Sequence, residues 1–312
     1  MRLSVFRSLL VLTAAFLIVS PVQADDFPFT DQTSPLNLLT AYYNAINLRD
    51  YTRAYGYWRN PPDDQTLDQF AAGFAGTDRV DVIARLPIMS EGAAGSIFAS
   101  IPAMLLATTN DNATPPTYVA CFVARKSNVP EGNNPEPDPN WHLYSADVYS
   151  VSIENLDLLD NVCENSTPIA EMGVYENRLT PEDLLTAYYN AIVLQDYARA
   201  YDYWSAPLDQ TLEQFSAGFS DVADMEIYVH LAGLSEGAAG TIYSTLPVLL
   251  NVTRRADDPQ YFIGCFVMRR SNVPVGDAVE PDPNWSIYSA DLNADPLAGI
   301  FARSLLDLEC AP

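Results

Sequence analysis

Asp147 and Asp291 each follow a Tyr-Ser-Ala tripeptide, Tyr144-Ser145-Ala146 and Tyr288-Ser289-Ala290, in stretches that read as late strands. A carboxylate in such a place can serve a small molecule as general acid or base. His230 is a third candidate of this kind. Arg125 and Arg269 carry the opposite charge, and each is followed by a second cation, Lys126 or Arg270. Strand alternation puts Val119, Cys121, Val123 and Arg125 on one face, so the guanidinium must reach water, pair with an acid or hold a ligand carboxylate. Pairing of Arg125 with Asp147 and of Arg269 with Asp291 is the structural expectation, and a ligand clamp is the functional one. Aromatic residues crowd the same regions. Tyr42, Tyr188, Trp58 and Trp204 recur at helical spacing with their neighbours, which suits a core whose polar tips border a cavity for an apolar ligand.

These residues come in pairs because the chain repeats itself. Over residues 34–58 against 180–204, 18 of 25 positions are identical. The offset is 146 there, 145 by Asp64 and Asp209, and 144 by Cys121 and Cys265. Comparison of the copies acts as a filter on chemistry. His142 aligns with Ser286 and His230 with Arg85, so a histidine mechanism common to both copies is excluded. Glycine-rich phosphate loops, zinc-protease helices and serine-hydrolase elbows are missing. No metal and no cofactor is expected.

The elements that must position these side chains read as helices first and strands after. Ser34 or Thr180 caps a helix with proline at its first position, and Leu38, Leu39, Tyr42, Tyr43 and Ile46 follow at helical spacing. A second helix follows Asp50 or Asp196, and Thr66 with Gln69 forms a capping box for a third. Strands are expected at about Val80–Leu86, Ser96–Ala107, Thr117–Lys126 and Trp141–Val151, with counterparts in the second copy at Glu226–Leu231, Thr241–Val252, Tyr261–Arg270 and Trp285–Leu292. Pro102 and Pro247 argue for an edge strand or a bulge, and Glu91-Gly92-Ala93-Ala94-Gly95 reads as a loop.

The Leu-Leu-x-x-Tyr-Tyr-x-Ala-Ile helix, the Asp-Tyr-x-x-Ala-Tyr-x-Tyr-Trp helix and the strands after them resemble the NTF2-like superfamily, SnoaL-like proteins included. The resemblance implies an α+β fold of two tandem cone domains, each with N-terminal helices packed on a curved antiparallel sheet. It also implies a pocket in each cone and an intramolecular pseudo-dimer of the two repeats. Its members include enzymes and binding modules, so fold alone does not choose between them.

The chain divides into a signal peptide (1–24), a first repeat (34–163), a linker (164–179) and a second repeat (180–312). Arg2 and Arg7, an apolar run and Pro21-Val22-Gln23-Ala24 make the start an export signal, so a secreted or extracytoplasmic protein with no membrane insertion after cleavage is expected. Without those residues Lys+Arg falls from 16 to 14 against 40 Asp+Glu, and the formal charge moves from −24 to −26. Such a surface repels phosphate backbones, which excludes nucleic acid as a partner and leaves a small molecule or a protein. The four cysteines fall two to a copy, so the pairing each copy could make alone is Cys121–Cys163 and Cys265–Cys310. The residues point to a non-enzymatic binding or interaction protein. The alternative is an isomerase or hydratase with an acid or base in the cone.

Overall fold

The computed structural model describes residues 27–308 and 310, apart from 62–64, 110–115, 131, 133–134, 165–166, 207, 232–234, 239, 256–258, 275, 277 and 297–301. The expected signal peptide lies outside the described residues. Each repeat opens with three helices: α1 (Pro35–Asn47), α2 (Tyr51–Gly56) and α3 (Leu67–Gly73), then α4 (Pro181–Val193), α5 (Tyr197–Asp202) and α6 (Leu212–Phe219). Their starts follow from local chemistry. The Ser34 hydroxyl accepts from the Asn37 N–H and the Thr180 hydroxyl from the Asp183 N–H, while Asp50 and Asp196 cap the second helices. Reciprocal capping boxes start α3 and α6 at Thr66 and Thr211.

Among the described residues five strands follow the helices of each repeat: β1 (Thr77–Leu86), β2 (Ser90–Ala93), β3 (Ser96–Thr109), β4 (Thr117–Ser127) and β5 (His142–Val151), then β6 (Val222–His230), β7 (Ser235–Ala238), β8 (Thr241–Arg254), β9 (Gln260–Ser271) and β10 (Ser286–Ala294). The fold is α+β, with one open antiparallel sheet in the order β10-β9-β8-β6-β1-β3-β4-β5; β2 pairs with β3 and β7 with β8. The two repeats join through β1 and β6, where Ile83, Ala84, Arg85 and Leu86 face His230, Val229, Tyr228 and Ile227. Each repeat covers an edge of the other, which removes two unpaired strand edges from solvent.

Two expectations need correction. The glycine-rich turn read as a loop contains β2, because Ser90 to Ala93 finds a partner in Ala99 to Ser96. Pro102 and Pro247 lie in interior strands rather than edge strands. Each sits where an inner ladder stops, after the pairs Ala84↔Ala103 and Val229↔Val248, so the missing N–H leaves no gap in that ladder. In the segment expected as the linker, Ile169 and Met172 join the core. Asn44 bonds the backbone of Phe27 and Phe29 as Asn190 bonds that of Gly173 and Tyr175.

The sheet separates two cores. Val80, Val82, Ala84 and Leu86 of β1 face the helices, with Tyr42, Tyr43, Phe122 and Phe266 among the side chains buried there. Ile83 of β1 and Tyr228 of β6 face the other side, beneath Leu156 and Leu159 of one 3-10 turn and Ala302 and Leu305 of another. Disulfides Cys121–Cys163 and Cys265–Cys310 tie these C-terminal segments to β4 and β9. Among the described residues no helix is long and apolar enough to cross a membrane.

Candidate functional site

The side chains that line a cavity in each repeat come from its first and third helices, from the segment after the second helix and from the sheet. Tyr42 and Tyr43 sit on the sheet face of α1. Trp58 follows α2, and its backbone is fixed by the bonds Arg59 N to Leu143 O and Leu143 N to Tyr57 O, both between 2.8 and 2.9 Å. Phe70 and Phe74 come from α3. With Phe122 and Tyr118 of β4 they line a cavity of about 390 Å³. The second repeat builds its counterpart from Tyr188, Tyr189, Trp204, Phe215, Phe219 and Phe266, with a cavity of about 340 Å³. Both volumes fall in the range of small-molecule pockets, about 300–1,000 Å³.

Edge-to-face packing sets the walls. Tyr42 meets Trp58 at 5.9 Å and 84°, and Tyr188 meets Trp204 at 6.2 Å and 77°. Burial raises both phenols well above the ordinary tyrosine range, opposed in part by the facing indole, so both stay protonated. Neither indole Nε1 finds a well-aligned hydrogen-bond partner among the described residues. Gln65 and Gln69 add polar atoms to the first cavity, and Gln210 and Arg254 to the second. Among the described residues no carboxylate or imidazole lines either one.

An arginine that sequence reasoning passed over supports each set of helices. Arg53 donates to Phe29 O at 2.7 Å, to Asn44 Oδ1 at 3.1 Å and to Asp50 Oδ2 at 3.1 Å. Arg199 repeats this with Tyr175 O, Asn190 Oδ1 and Asp196 Oδ2. Both were legible as identical positions, but a helix-surface arginine next to an N-cap aspartate carries no signal of its backbone partner.

The other expected site residues lie elsewhere. Asp147 and Asp291 are exposed on the edge strands, opposite Cys121 and Cys265 in register. Arg125 sits opposite His142 and Arg269 opposite Ser286, so the expected Arg125–Asp147 and Arg269–Asp291 pairs do not form. Four residues of strand separate each intended partner. Arg125 donates to Ser96 Oγ at 2.9 Å; Arg269 donates to Ser205 O at 3.2 Å and lies over the Tyr288 ring. None of the four lines either aromatic cavity. His142 pairs with Asp138 at 3.0 Å, away from both.

His230 belongs to the seam between the repeats, where one acid–base pair occurs twice. Its Nε2 stands 3.4 Å from Asp81 Oδ1, and Arg85 Nη2 stands 3.1 Å from Glu226 Oε1. At an offset of 145, Asp81 corresponds to Glu226 and Arg85 to His230, so the two pairs are related by the repeat. Arg85 also meets Asp160 at 3.0 Å, and Asn251 donates to Glu226 at 2.7 Å. Burial and the nearby Glu226 charge push the Asp160 carboxyl up to about 6, against the pull of Arg85. At Asp81 burial acts upward too, but His230 and Arg79 outweigh it and hold the carboxyl below its ordinary value.

Glu182, in the first turn of α4, is a further displaced acid, pushed up to about 7 by burial and by Asp183 beside it. Between pH 7.5 and about 5 the folded chain therefore takes up protons at Glu182 and Asp160 that the unfolded chain, with ordinary carboxylates near pH 4, does not. Stability rises as the pH falls through this window. Below about pH 4 the sign reverses, because Asp81 and Asp138 are held low and resist protonation in the fold. Calorimetry is expected to give a higher Tm at pH 5.5 than at 7.5, with a smaller difference in Glu182→Leu. A flat or rising Tm from 5.5 to 7.5 contradicts this.

Comparison with known proteins gives no relative: no family model, no curated protein and no solved structure matches the chain.

Proposed function

We propose that the chain is a secreted, non-enzymatic binding protein built from two NTF2-like cone domains, each taking one flat apolar molecule between its helices and its sheet. One observation carries this reading. Two equivalent cavities of about 390 and 340 Å³ are walled by matching aromatic side chains, with no carboxylate or imidazole among the described lining residues. The Tyr-Trp pairs offer faces and edges to an aromatic ligand. The acidic surface, formal charge −24 for the whole chain, favours neutral or cationic ligands over anions. The two disulfides are compatible with an oxidising compartment.

N-phenyl-1-naphthylamine, a neutral and fluorescent aromatic, is the probe for this reading. Titration of the mature chain is expected to enhance probe fluorescence to saturation. Trp58→Ala and Trp204→Ala are each expected to remove about half of the binding capacity while circular dichroism stays native. Undiminished binding in the double variant, or no binding by the wild type, would overturn the reading.

A further inference from the structure

The first turns of α1 and α4 meet near the seam, and a cavity opens beside each. The larger, about 440 Å³, is lined by Asp31, by Thr40 of the first repeat and by Glu182, His230, Arg270 and Trp285 of the second. The smaller, about 370 Å³, is its counterpart across the repeat, with Trp141 in the place of Trp285. Glu182 borders both.

Two residues that line the larger cavity each carry a buried polar atom without a hydrogen-bond partner among the described residues. Glu182 Oε2 is shut off from solvent and has no hydrogen-bond partner, and the same holds for Arg270 Nε. The Thr180 hydroxyl and the Glu182 backbone N–H meet the Glu182 carboxyl. The Arg270 guanidinium lies 5.2 Å above the Trp285 ring. A carboxylate and a guanidinium thus line one cavity, and no ion pair joins them among the described residues. Leaving a buried polar atom unpaired is unfavourable unless something else meets it. The first repeat contains neither group at the matching positions, which are Leu36 and Lys126, so the fold itself does not require them.

We propose that the larger cavity binds a small zwitterion of the amino-acid class, its ammonium group meeting Glu182 and its carboxylate meeting Arg270. Leu231, Ile242 and Leu246 supply an apolar wall for the side chain of the ligand. Two opposite charges lining one cavity call for both charged groups of the ligand, because a ligand with one of them leaves the other charge unanswered. This site is separate from the aromatic cavities and does not depend on them.

Isothermal titration of the mature chain with L-leucine, 3-methylbutylamine and 4-methylpentanoate tests it. L-leucine is expected to bind, and each one-ended analogue to bind at least about 10-fold more weakly. Glu182→Leu and Arg270→Lys install the residues that the first repeat already folds with, so both are expected to keep a native circular dichroism spectrum. Glu182→Leu should abolish leucine binding and Arg270→Lys weaken it, while Trp58→Ala and Trp204→Ala leave it unchanged. Absence of binding at millimolar L-leucine overturns the proposal. So does equal binding of the bare amine, or undiminished binding in Glu182→Leu.

Discussion

Arg85→Met is expected to lower the folding stability by about 3–5 kcal/mol, the range for breaking a buried ion pair by removing one partner. The Arg85 side chain is 7% exposed and answers two carboxylates, Asp160 at 3.0 Å and Glu226 at 3.1 Å. The Asp160 contact is an ion pair rather than an aligned hydrogen bond, so the guanidinium acts there mainly through its charge. Methionine keeps most of the volume and removes the charge, leaving two acids facing each other at the centre of the sheet. Urea denaturation measures the loss. Adding Glu226→Gln and Asp160→Asn to Arg85→Met should recover a large part of it, because neutral amides in place of the acids end their repulsion. A loss below about 1 kcal/mol would mean that the seam does not depend on this ion pair.

The second large effect is expected at Cys121 and Cys163. The bridge closes a loop with a sequence separation of 42, for which the chain-entropy argument gives about 4 kcal/mol. Its removal by a double serine substitution also releases the segment that carries Leu156, Leu159 and Asp160 onto the outer face of the sheet. The cost should therefore couple with that of Arg85→Met. A double-mutant cycle in urea is expected to give a combined loss smaller than the sum, since freeing the segment already takes Asp160 away from Arg85. Strict additivity would show that the segment stays docked without its disulfide.

Much of the fold was legible because local chemistry and the duplication agreed. Ser34, Thr180, Asp50, Asp196 and Thr66 cap the helices their residue types announce. The cysteine pairs follow from two copies with two cysteines each. The seam was not legible, since the register of β1 against β6 depends on tertiary placement of the repeats and not on any local pattern. Strand alternation grouped Arg125 with Cys121 correctly, but it does not report register against the next strand, which is why Asp147 ended opposite Cys121 rather than Arg125. Glu182 escaped notice for a different reason. Filtering for residues present in both copies discards a group found in one, and the counterpart of Glu182 is Leu36, a plain core residue at 5% exposure. The filter selects for the shared fold, so an asymmetric site is invisible to it.

Tyr42, Tyr188, Trp58 and Trp204 make the opposite case. Their spacing marked them as core, and the structure places them at the boundary between core and cavity, nearly buried yet lining open space. Aromatic rings do both because one face packs while an edge stays free. The reading as paired binding pockets rests on this double role. Native mass spectrometry of the mature chain in saturating N-phenyl-1-naphthylamine tests it most directly. Adducts carrying one and two probe molecules are predicted, and loss of both in the Trp58→Ala/Trp204→Ala double variant. A bare chain at saturation, or a double variant that still carries two, would contradict it.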